Sequence, residues 1–78
     1  MGLGDLMLEF KEKKILNYKL QELNNNLENN YKDLAHTALK ELEEVLEDMK
    51  NNGLSDRVYN KYRKIVDGYK INMKNYHH

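Results

Sequence analysis

Asn24-Asn25-Asn26-Leu27-Glu28-Asn29-Asn30 is the stretch that decides how this chain folds. Five asparagines in seven residues make a poor helix and a good turn, because the short amide side chain competes for backbone hydrogen bonds. Asn30-x-x-Asp33 also resembles a helix start. If the chain turns here, three helices of about 20 residues result, each about 30 Å long. If it does not, one helix of about 70 Å runs from Asp5 to Asn51, too long to bury its apolar stripe against a single short partner.

Outward from this stretch, the next punctuation is Gly53. The 78-residue chain has no proline, and Gly53 is the only glycine between Asp5 and Asp67. It follows Asn51-Asn52 and precedes Leu54-Ser55-Asp56, an order that reads as helix end, left-handed cap and helix start. Ser55 is a suitable N-cap, and Asp56 suits the first turn that follows.

Each flanking segment carries a helical period. After Gly53, Val58, Tyr59, Tyr62, Ile65, Val66, Tyr69, Met73 and Tyr76 fall within an arc of about 120°. Ile71 and Gly68 lie off this stripe, and Gly68 weakens the helix by roughly 1 kcal/mol relative to alanine. Before Gly53, Tyr31, Ala35, Ala38, Leu42, Val45 and Met49 form a seam flanked by Leu34, Leu39 and Leu46. In the first segment Leu16, Leu20, Leu23 and Leu27 share a narrow face. Leu3, Leu6, Met7 and Phe10 share another, rotated by roughly 100°.

The expected fold is therefore all-α, an antiparallel three-helix bundle with helices over about 5–24, 30–51 and 55–76. The alternative is a long helix 5–51 with a helix 55–76, forming a dimeric helical bundle. Residues 1–78 make one small helical domain, with 1–4 and 77–78 disordered or tag-derived. A chain this short buries only about 60% of the surface its unfolded state exposes. Stability must come from matched helices, from association, or from both.

Composition narrows the function. Thirteen basic residues balance thirteen acidic ones, which removes the simplest electrostatic case for nucleic acid or an anionic membrane. The balance hides an asymmetry: residues 28–52 hold seven acidic and three basic residues, and residues 53–78 hold two acidic and six basic. No apolar run is long enough for a membrane span, and the start lacks a secretory pattern. The absence of cysteine fits a reducing, cytoplasmic setting. Eleven asparagines and eleven lysines point to an AT-rich, bacterial source.

No catalytic group can be assembled from the spacing. Serine occurs only at Ser55 and threonine only at Thr37, with no nucleophile elbow, phosphate loop or zinc spacing. Asp33-x-x-His36 places a carboxylate one turn from an imidazole. Di-metal bundles need a second such pair, and His36 falls outside the apolar stripe. Neither a metal nor a cofactor is expected. The Gly-Leu-Ser-Asp junction is faintly similar to the small helical-hairpin phosphatases of sporulation signalling. Their Ser-Gln-x-x-x-Asp motif is replaced here by Tyr62-Arg63-Lys64-Ile65-Val66-Asp67, without the serine and with Asp67 out of register, so the chain is not assigned to them.

Two surfaces remain. The off-register set Leu3, Leu6, Met7 and Phe10 reads as a partner-binding patch, because a contiguous apolar patch marks an interaction surface. Its simplest partner is another copy of the chain in a homodimer or coiled coil, or else another protein. Arg63, Lys70 and Lys74 form a basic strip beside the tyrosines of the last helix, and the alternative reading makes it a platform for single-stranded nucleic acid. Charged faces could also mate between copies, Glu44, Glu47 and Asp48 against that strip. The expected function is a small non-enzymatic interaction or regulatory module that self-associates.

Overall fold

A computed structural model describes residues 3–74, with side chains from Glu9 onward. Three helices follow one another, α1 (Leu3–Glu28), α2 (Lys32–Asn51) and α3 (Asp56–Asn72). The chain turns, so the expected three-helix bundle is formed and the alternative 5–51 helix is not.

The turn comes later than the asparagine count suggested. Helix α1 runs through Asn24, Asn25 and Asn26 and stops at Glu28. Propensity costs only a few tenths of a kcal/mol per asparagine, and packing overrides it. Leu23 is fully buried, Leu27 is partly buried against the core, and the Asn24 amide oxygen accepts a hydrogen bond from the Tyr69 hydroxyl. Asn30 is then not the N-cap of α2. It takes a left-handed φ of 59° and closes α1, while Tyr31 occupies the α2 N-cap without a side-chain capping bond.

The same device closes α2, where Gly53 has φ 105°. At each end a nested pair of bonds satisfies the last carbonyls. Asn30 N–H donates to Leu27 and Tyr31 N–H to Asn26, at 3.1 and 2.9 Å. Gly53 N–H donates to Lys50 and Leu54 N–H to Met49, at 3.2 and 2.9 Å. The preceding asparagine adds a side-chain bond in both cases, Asn29 Nδ2 to the Asn25 carbonyl and Asn52 Nδ2 to the Asp48 carbonyl, each 2.9 Å. Ser55 caps α3 as expected, its Oγ accepting from Val58 N–H at 3.4 Å.

Helix α2 lies in the middle, packed on α1 and on α3. It supplies five core residues, Ala35, Ala38, Leu39, Leu42 and Leu46, which meet Leu16 and Leu23 of α1 and Val58, Tyr62 and Val66 of α3. The alanines lie near the first turn, where α1 and α2 are joined by only three residues. Leu54 and Met73 close the α3 side. Two seam assignments fail. Tyr31 and Leu34 are exposed: Tyr31 is the N-cap, outside the helix proper, and Leu34 stands about 90° around α2 from the centre of its buried stripe. Ile71 is exposed, as its off-stripe position predicts. Helix α3 ends at Asn72, short of the expected 76, and Tyr76 lies outside the described residues.

Helix lengths do not match. At 1.5 Å per residue α1 is about 39 Å long and α2 about 30 Å. Lys19 reaches Glu41 and the Tyr62 hydroxyl reaches Asn17. These pairings put the far ends of α2 and α3 level with roughly residues 9–11 of α1. The first turns of α1 therefore overhang the bundle. Below Leu16 the apolar stripe of α1 gives way to Glu12, one of whose carboxylate oxygens is buried without a hydrogen-bond partner.

Candidate interaction surface

Helix α1 is apolar on two sides. The Leu16, Leu20, Leu23 and Leu27 stripe faces α2 and α3. Phe10, Lys11, Lys14, Ile15 and Tyr18 stand at least about 110° around the helix from the centre of that stripe. Phe10 is 69% exposed, Tyr18 66% and Ile15 47%. Large apolar side chains scattered singly are ordinary on a surface. These three lie within nine residues of one helix, on the side away from its neighbours.

Of the predicted patch, Phe10 is placed plainly, on the outer side of α1 where the overhang begins. Leu3, Leu6 and Met7 belong to the same helix, but their side chains lie outside the described residues. Ile15 and Tyr18 were not singled out from the sequence. The signal was present: Tyr18 lies almost opposite the leucine stripe, with Ile15 and Phe10 on either flank of it, but lysines interrupt them.

The basic strip is engaged within the chain. The Arg63 guanidinium contacts Glu43 at 2.9 Å, Glu47 at 3.3 Å and Asp67 at 3.0 Å. Lys70 contacts the same Glu43 at 2.9 Å. The Lys70 hydrogen bond, opposed by burial and helped by Arg63, holds the Glu43 carboxyl below its ordinary value. Lys74 is exposed. Glu47 also accepts from the Tyr59 hydroxyl at 2.6 Å, which raises that hydroxyl's pKa. The acidic face of α2 and the basic face of α3 thus meet within one molecule. Glu43, which the sequence reading passed over, is central to it.

The tyrosines of α3 behave as core residues with polar tips. Tyr62 is buried, and burial pushes its hydroxyl pKa up. Its hydroxyl donates to Asn17 Oδ1 at 2.8 Å, one heptad before the Tyr69–Asn24 pair. These two bonds tie α3 to α1. Asn17 and Asn24 on α1 and Tyr62 and Tyr69 on α3 share a seven-residue spacing, a pattern visible in the sequence only when both helices are considered together.

His36 is exposed. Among the described residues no group of three histidine, cysteine, aspartate or glutamate side chains is arranged to hold a metal ion, and no helix is long and apolar enough to cross a membrane. Compared with protein-family models, curated proteins and solved structures, the chain matches none.

Proposed function

We propose that this chain is a non-enzymatic helical interaction module that associates with itself, most simply as a homodimer paired through α1 in a coiled-coil manner. One observation carries the reading: Phe10, Ile15 and Tyr18 are exposed on the side of α1 away from the bundle. Apolar side chains exposed along the outer half of one helix favour a partner helix. A cytoplasmic, bacterial setting accords with the lack of cysteine and the abundance of asparagine and lysine. The nucleic-acid reading has less behind it. Arg63 and Lys70 are occupied by carboxylates, and the tyrosine beside Arg63 is buried.

Sedimentation equilibrium tests the reading. The wild-type chain is expected to associate as concentration rises, and Phe10→Asp to weaken that association by roughly tenfold or more, the scale of losing one well-packed apolar anchor. Helicity should not change, since Phe10 lies outside the core. A wild-type chain that stays monomeric at every accessible concentration overturns the proposal.

A further inference from the structure

Tyr18 is shared by two adjoining recesses on the outer face of α1. One, of about 440 Å³, is lined by Lys11, Lys14, Ile15 and Tyr18. The other, of about 190 Å³, is lined by Tyr18, Gln21, Glu22 and Asn25. The first half is basic and apolar, and the second carries amides and one carboxylate. Among the described residues, Lys11, Lys14 and Glu22 take part in none of the ion pairs, which join Lys19, Lys50, Arg63 and Lys70 to other carboxylates.

A face that is positive at one end and negative at the other is complementary to a reversed copy of itself. Laid parallel, two such faces set Lys11 and Lys14 against their own copies, which is repulsive. We infer that a second copy of the chain covers this face with its own α1 antiparallel, the two-fold axis passing near Tyr18. Residue n of one copy then lies level with residue 36 − n of the other. Lys14 meets the partner's Glu22, Lys11 reaches the partner's Asn25, and the two Tyr18 rings meet at the axis. The contact is isologous, so it closes as a dimer. Helices α2 and α3 pack on the opposite side of α1 and leave the approach open.

This inference rests on the self-association proposed above and adds its geometry. The chain has no cysteine, so introduced thiols are unique reporters. Lys14→Cys mixed with Glu22→Cys should give a disulfide-linked pair on mild oxidation, whereas Lys14→Cys alone should give none. In the antiparallel pair the two copies of position 14 stand eight residues apart, about 12 Å, and a disulfide needs Cα atoms within about 7 Å. Charge reversal gives a second readout. Lys11→Glu with Lys14→Glu should raise the dimer Kd by about tenfold or more, and adding Glu22→Lys in the same chain should restore it. A parallel pair would not be rescued, because like charges would still face each other. A wild-type chain that never associates overturns both this inference and the proposed function. A chain that associates but forms the 14–14 disulfide, lacks the 14–22 disulfide or is not rescued by the triple reversal overturns this inference alone.

Discussion

Two glycines show how one residue type acts with opposite sign. Gly53 holds φ 105° at the end of α2, a conformation that costs a side-chain-bearing residue about 1 kcal/mol or more. Gly68 sits within α3, with open space where a Cβ would project, and there alanine gains helix propensity. Gly53→Ala is therefore expected to lower stability by about 1 kcal/mol and Gly68→Ala to raise it by about 0.5–1 kcal/mol, read as shifts in urea midpoint. Equal effects of the two would contradict this assignment of their roles. The Gly53 cap was legible from its neighbours alone. The matching role of Asn30 was not, because asparagine serves equally well before a helix and after one. Only the packing of Leu23 and Leu27 decides that α1 continues until Glu28.

At the scale of the helices, α2 and α3 are joined by a core seam and by a charged margin in which Arg63 and Lys70 share Glu43. The Glu43 carboxyl is held below its ordinary value of 4.5, first by the Lys70 hydrogen bond. The Asp56 carboxyl is lowered by its bond to Lys50. A group with a depressed pKa binds protons less readily when folded than when unfolded, so its stabilisation is complete above the ordinary carboxylate range and fades as pH falls through the lowered value. The urea midpoint should hold level from neutral pH to about 5 and fall below about 4.5. Glu43→Gln should make the fall shallower while lowering the neutral-pH midpoint slightly, since partly exposed pairs contribute about 1 kcal/mol or less. An identical acid profile in the variant would show that the margin carries no linkage. The three apolar stripes could be read from the sequence, because a 3.6-residue period needs only one helix at a time. The pairing of Glu43 and Glu47 with Arg63, and of Asn17 and Asn24 with tyrosines, depends on how two helices are phased, and no single stripe contains that information.

For the molecule as a whole, a long first helix and two shorter partners leave one rod with a free side. If that side is covered by a second copy, association stabilises the folded state by mass action. The thermal midpoint of the wild-type chain should then rise with protein concentration and that of Phe10→Asp should stay level, as differential scanning calorimetry would measure. A concentration-independent midpoint for both would argue against coupling of folding and assembly. The class of fold was visible in the sequence because nothing but helix accommodates these periods. The free side was only half visible. Phe10 stood out as the lone phenylalanine, whereas Ile15 and Tyr18 gain meaning only once the leucine face is seen to turn inward.

The closure of α2 also has a chemical consequence. Asn52 followed by Gly53 is the pair most prone to spontaneous deamidation, in which the glycine nitrogen attacks the side-chain carbonyl, ammonia leaves, and water opens the resulting ring to aspartate or isoaspartate. Here the attacking nitrogen is bonded to Lys50 and the amide to Asp48, so the cap that ends the helix also protects it from ageing. Isoaspartate at this junction should build up slowly in native buffer and several times faster in urea, and equal rates would mean the cap gives no shelter.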